Sequence, residues 1–204
     1  MKKKLITLIL IIAIASCSGP PRATFTYIEP VSIKNNSSIT LDKPFDEAWV
    51  GVIEYVSSSF FAITSFEKDS GLLTLSFSAT PELLVDCGTL LINNKRQKNY
   101  LEFLDTRPSS SLTLDGIMNI TAVEKSEGKT TITVNARYIL NVVRTSYNRV
   151  SNTSTRLSDF WTFDSNSSDT VYISANLPGS SSTRTCMPTG AAENSILKGV
   201  RDLM

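Results

Sequence analysis

Between Phe45 and Val56 the apolar residues Phe45, Ala48, Trp49, Val52, Ile53 and Val56 recur three or four apart, opposite Asp46, Glu47, Glu54 and Ser57. That is the period of a helix burying one stripe, predicted here over 44–58. Pro44 suits its first turn, and Asp42, Asp46 and Glu47 suit its positive end. Trp49 sits on the stripe and reads as core, with a ligand platform as the other reading. Elsewhere the period is two. Ser38–Leu41 is a short strand, and Phe60–Phe66 and Leu72–Phe77 are strands joined by Lys68-Asp69-Ser70-Gly71, where Gly71 can supply positive φ. In the second of these Leu73, Leu75 and Phe77 alternate with Thr74, Ser76 and Ser78, so one face is buried and the other wet.

The longest alternation spans Leu112–Val123 and Thr130–Val143, separated by Glu127-Gly128-Lys129. Ile132, Val134, Ala136, Tyr138, Leu140 and Val142 share one face against Thr131, Thr133, Asn135 and Arg137. The polar stretch 144–155 reads as a connection to a last strand over 156–163, and Pro178–Ser182 as a flexible turn. Thr189 is placed to cap a terminal helix with Glu193 in its first turns and Ala192, Ile196, Val200 and Leu203 as its stripe. Between 79 and 110 the period is broken by Pro81, Cys87-Gly88 and Pro108; Leu90-Leu91-Ile92 suit a buried strand, and Asn99–Asp105 a helical turn or short strand. The class that follows is α+β: an antiparallel sheet of about five to seven strands with two helices packed on one face, one of them C-terminal.

The first seventeen residues follow other rules. Lys2-Lys3-Lys4, an apolar run from Leu5 to Ala15, then Ser16 and Cys17 have the layout of a secretory signal, too short to span a bilayer as a mature helix. Ile14-Ala15-Ser16-Cys17 resembles the lipobox of bacterial lipoproteins. The resemblance implies that residues 1–16 are removed and that Cys17 is lipidated, and Ser18 in place of aspartate implies the periplasm-facing leaflet of the outer membrane. Residues 17–36, with Pro20, Pro21 and Pro30, read as a tether able to span about 60 Å when extended. Phe25, Tyr27 and Ile28 interrupt it, as a cluster docking on its own domain or on a partner. Residues 37–204 are left as a single domain.

Charge changes the picture once the signal is set aside. Removing Lys2, Lys3 and Lys4 turns a formal charge of +1 into about −2, which leaves no electrostatic footprint for nucleic acid. Lys95, Arg96 and Lys98 form one small basic patch, a solvated loop or a contact for anionic lipid or peptidoglycan. The chain has no histidine, which removes the commonest general base and metal ligand. Asp69, Asp105 and Asp115 lie in or beside turns, where carboxylates are commonplace. No catalytic, metal or cofactor constellation stands at a defensible spacing, and a non-enzymatic protein without cofactor is expected.

With Cys17 acylated, Cys87 and Cys186 remain in an oxidising compartment. Either they form a disulfide closing a loop worth on the order of 4 kcal/mol in the chain-entropy model, or they are two separate buried thiols; the compartment favours the bridge. Asn152-Thr153-Ser154 and Asn166-Ser167-Ser168 match glycosylation acceptors, which a bacterial lipobox argues against.

Pro44-Phe45-Asp46-Glu47-Ala48-Trp49, the aromatic at Phe61 and the Lys68-Asp69-Ser70-Gly71 turn resemble, over about forty residues, a pattern recurring in small bacterial lipoprotein domains. Among these are the helix-grip domains of the lipoprotein subunit of the outer-membrane β-barrel assembly machinery. The resemblance implies a helix-grip fold and an accessory role in an envelope assembly, with the membrane and an envelope protein as partners. A carrier holding a hydrophobic molecule between sheet and helices is the alternative.

Overall fold

A computed structural model describes residues 24–31, 37–105, 109–167, 170–177 and 180–204, with the side chains of 96–98, 174–177 and 180–182 left aside; the signal stretch and Cys17 lie outside the described residues. The class is mixed α+β, with antiparallel sheets and, among the described residues, four helices, one of them C-terminal.

The main sheet is built on the long hairpin of β8 (Ser110–Ser126) and β9 (Lys129–Asn148). β4 (Leu72–Ala79) pairs with β8, β3 (Ala62–Glu67) pairs with β4, and β10 (Thr153–Asp164) pairs with β9. β2 (Ser38–Leu41) shares that edge of β9 with β10 by taking its first residues, 130–133, before β10 takes over from Arg137. At the hand-over Val134 N donates to Ser37 O (2.8 Å) and Ala136 N to Ser165 Oγ (2.9 Å), so both backbone donors are paired there.

Register places the apolar residues in rows across one face: Leu73, Ile120 and Val134; Leu75, Met118 and Ala136; Phe77, Gly116 and Tyr138. Of these, Leu73, Leu75, Phe77, Val134, Ala136 and Tyr138 are residues the period-two pattern assigned to the buried face. Helix α1 (Phe45–Ser57) buries Ala48, Trp49, Val52 and Val56 in the same apolar cluster. The terminal helix, described below as α4 (Ala191–Leu203), adds Ala192, Ile196, Leu197 and Val200. The two helices touch each other and β9. Their approach is close because Gly199 lies under the Tyr55 ring and Gly51 under Met204, while Tyr55 OH meets Ser195 Oγ at 3.2 Å.

Several sequence expectations change. Residues 25–28 form β1 (Phe25–Ile28), which pairs with β6 (Thr89–Ile92), itself paired with β7 (Lys95–Asn99), so part of the stretch read as tether is a strand of a second, three-stranded sheet. The polar stretch 144–155 is no loose connection: β9 runs on to Asn148 and turns directly into β10. Its residues are exposed on both faces, so no burial period betrays the strand.

β10 is also not the last strand. β11 (Val171–Leu177) and β12 (Ser180–Pro188) form a further hairpin, tied through β12 to β5 (Val85–Asp86); Pro178–Gly179 lie outside the described residues. Two short helices, α2 (Pro81–Leu84) and α3 (Tyr100–Asp105), fill the broken region. At the terminal helix Gly190 (φ 68°) is the cap and Thr189 stands one residue earlier, its Oγ1 accepting from Ala191 N (3.3 Å) and donating to Leu83 O (3.0 Å). Leu203, expected on the apolar stripe, is exposed, and Leu197 is buried.

Candidate functional site

The main sheet ends at β3, and among the described residues no strand pairs with its outer side. All six residues from Ala62 to Glu67 are exposed. Natural sheets blunt such edges with lysine, proline or bulges that twist them away. β3 contains neither residue and has one irregularity, at Thr64, which is skipped between the pairs Ile63↔Leu75 and Ser65↔Thr74 and donates its Oγ1 to Thr74 O (3.0 Å).

The skipped residue has a consequence for side-chain direction. Ile63 lies opposite Leu75 and Phe66 opposite Leu73, and both leucines face the core. Ile63 and Phe66 therefore share the helix-facing side although they are three apart, yet they remain 43% and 52% exposed because no strand lies beyond them.

Beside this edge runs α1. Trp49, Val50, Ile53 and Phe66, with Glu54 and Lys68 at the ends, line an apolar groove of about 460 Å³. Val50 is 61% exposed. Trp49 forms part of the groove and of the core: it stacks on Phe45 (centroids 5.8 Å), tilts against Phe66 (5.5 Å), and its buried Nε1 has no hydrogen-bond partner among the described residues. Lys68 is held by Asp46 at 2.8 Å. A second hollow, about 540 Å³, lies on the opposite face of the sheet around Phe60, Ile117, Ile139, Asp115 and Arg137. Asp115, read from sequence as lying in or beside a turn, is within β8 and accepts from Ser78 Oγ at 2.6 Å. Asp69 lies in the β3–β4 turn and Asp105 ends α3.

The sulfurs of Cys87 and Cys186 lie at disulfide-bonding distance, with Cα atoms 4.0 Å apart and a sequence separation of 99. Around them sits a polar cluster that sequence reasoning missed. Tyr27, on β1, places its OH 3.0 Å from the carbonyls of both Cys87 and Thr185, able to donate to either. Burial pushes its pKa up, against the opposing pull of the hydrogen bond to Thr185 and of the Arg184 charge.

Arg184, 6% exposed, holds its guanidinium 4.3 Å from the Tyr27 ring centroid and 5.6 Å from that of Tyr100. Gly88 (φ 80°) is required at this point, since a Cβ there would strike Ile28 O and the Tyr27 ring. The signal available in sequence was Tyr27 inside an otherwise tether-like stretch. A second missed pair is Tyr138 and Glu193: the phenol donates to Glu193 Oε2 at 2.6 Å, in the core between β9 and α4.

Among the described residues no group of three or more His, Cys, Asp or Glu is placed to hold a metal ion, and no helix is long and apolar enough to cross a membrane. The basic residues Lys95, Arg96 and Lys98 lie in β7. The arrangement thus defines a mixed α+β protein whose main sheet ends at β10 on one side and at β3 on the other, with an apolar groove beside β3. No protein family, curated protein or solved structure matches the chain.

Proposed function

We propose that this is a lipoprotein anchored through Cys17 in the outer membrane and facing the periplasm, acting as a non-enzymatic accessory subunit of an envelope assembly. The observation that carries the reading is the β3 edge with its groove. An extended segment of an envelope protein, added antiparallel or parallel to β3, would pair its backbone with the unpaired edge. Its alternate apolar side chains would cover Ile63, Phe66, Val50 and Ile53. Layout and the resemblance of the Pro44–Trp49 stretch support a helix-grip arrangement, with α1 and α4 on the sheet's apolar face. The alternative is a carrier for a hydrophobic molecule held between sheet and helices; that space is filled by Trp49, Val52, Leu75, Met118 and Ile196, all buried, so only the groove beside α1 speaks for it.

The test is crosslinking of tagged protein in intact cells, with proteins and extracted lipids both identified. One envelope protein recovered at near-equal amount, lost in Ile63→Lys/Phe66→Lys and kept in Ile117→Lys on the opposite sheet face, is the expected result. A partner that survives the edge variant refutes this docking site. A co-purifying lipid with no protein partner moves the reading to the carrier.

A further inference from the structure

The residues of β8 and β9 that point away from the apolar cluster stay open to solvent through the middle of the main sheet. Most are polar, as a wetted face should be. Three are not: Ile117, Ile139 and Phe160 are 54%, 38% and 73% exposed.

Register fixes how the three are arranged. Ile117 lies opposite Arg137, and Asp115 opposite Ile139. Phe160 lies opposite Asn141, two residues on from Ile139. Each step from Ile117 to Ile139 to Phe160 therefore crosses one strand and advances two residues, about 5 Å across and about 7 Å along. The result is a straight diagonal stripe. Asp115 and Arg137 flank it on opposite sides, each about 4 Å from its line.

A half-turn of a second copy about this diagonal lays the stripe on itself. The same half-turn exchanges the two sides, and carries each copy's Asp115 to within about 3 Å, measured in the plane of the face, of the other copy's Arg137. Both charges are free to respond. Asp115 has no ion pair among the described residues and accepts from Ser78 Oγ, while Arg137 is held loosely by Asp164 at 3.6 Å. Phe60, 67% exposed, stands on the Asp115 side beside Ser76 and Ser78. A hollow of about 230 Å³ lined by Asn135, Arg137, Asp164 and Asn166 lies on the other side. The half-turn brings each Phe60 over that hollow of the other copy.

We infer that this face is a self-complementary interface, on which a second copy of the chain docks about a two-fold axis along Ile117, Ile139 and Phe160. The inference rests neither on the lipoprotein reading nor on docking at β3, which the pairing leaves free. From Thr113 to Thr121 on β8, and across β4, β8, β9 and β10, the face measures about 27 by 19 Å. That is about 1,000 Å² for the two copies, the low end of specific interfaces, so the pair is weak and reversible.

Sedimentation of the full-length chain in mild detergent, at concentrations up to about 1 mM, reads the pairing. A dimer is expected, lost in Ile117→Lys/Ile139→Lys and kept in the edge variant Ile63→Lys/Phe66→Lys. Asp115→Lys and Arg137→Glu each set like charges together at two places, and each variant alone should pair at least about tenfold more weakly. An equal mixture of the two should pair again, because in the mixed dimer reversed charge meets reversed and native meets native. Such recovery cannot come from a damaged fold. A chain monomeric at the highest concentration, a dimer that survives Ile117→Lys/Ile139→Lys or is lost in the edge variant, or no recovery on mixing overturns the inference.

Discussion

Removing the Tyr138 hydroxyl should cost about 3 kcal/mol. Tyr138 is fully buried on β9, and Glu193, 2% exposed, faces it from α4 across a 2.6 Å hydrogen bond. Glu193 Oε1 has no partner among the described residues, so the phenol is the one donor serving this carboxylate. A hydrogen bond to a charged group contributes about 1.5–3 kcal/mol, and the acceptor left behind by Tyr138→Phe cannot recover water in the core. We expect Tyr138→Phe to lose about 3 kcal/mol, and Tyr138→Phe/Glu193→Leu to regain much of it, since replacing both partners by apolar groups removes the orphaned charge. Urea unfolding followed by circular dichroism, run as a double-mutant cycle, gives the coupling directly.

The same pair sets an alkaline limit. Burial, then the Glu193 charge and hydrogen bond, push the Tyr138 pKa well above its unfolded value of about 10. Below that value both states hold the proton and the contribution is complete. Above it the unfolded chain releases a proton the folded chain keeps, so stability falls by about 1.4 kcal/mol per pH unit. Tyr138→Phe should flatten the curve above pH 10 by that slope. A cost below about 0.5 kcal/mol with an unchanged alkaline slope would refute the account.

Three further outcomes are expected. Cys87→Ser/Cys186→Ser should lose about 4–5 kcal/mol in urea unfolding, because the bridge closes a loop with a sequence separation of 99; a loss under 1 kcal/mol would mean the unfolded chain is not constrained by it. Gly116→Ala should destabilise by about 1–3 kcal/mol although alanine suits a strand better than glycine, because a Cβ there falls within the Phe77 ring; a neutral or raised melting temperature would show that Phe77 can move aside. Cys17→Ser should leave the protein unprocessed or unacylated by mass spectrometry, and a fully processed, membrane-bound variant would refute the anchor.

What the sequence made legible is what burial makes periodic. The stripe of α1 and the alternation of Ile132 to Val142 each repeat over several turns or residue pairs facing one core, and the structure buries them as the periods require. β1, the far end of β9 and β12 escaped because nothing periodic marks them, whereas β11 alternates Val171, Ile173, Ala175 and Leu177 with Tyr172, Ser174 and Asn176 and was legible as a strand. Tyr147, Thr153 and Arg156 are exposed on strands wetted on both faces, and β1 is four residues long in a proline-rich stretch. Glu193 misled for another reason: an acid in the first turn of a helix suits the dipole whether it faces solvent or the core, and only the register of β9 places Tyr138 opposite it.

The candidate site was hidden more deeply, because an edge is a property of topology and no residue type encodes it. Ile63 and Phe66, three apart, fit neither strand alternation nor a helix until Thr64 is dropped from the register. Val50 reads as a stray apolar residue on the polar side of α1 until β3 is seen to end the sheet beside it. Taken singly, each is the kind of exposed apolar residue that needs no explanation. Val50 and Phe66 line one groove and Ile63 stands on the same edge strand, and the same pattern would be costly on a protein that works alone, since an unblocked edge invites aggregation. A strand that buried Ile63 and Phe66 would remove that hazard. Ile63→Lys/Phe66→Lys should therefore raise the solubility of the isolated protein while abolishing capture of its partner, measured by light scattering and by crosslinking. If solubility does not change, the edge is already protected, and docking at β3 loses its physical motive.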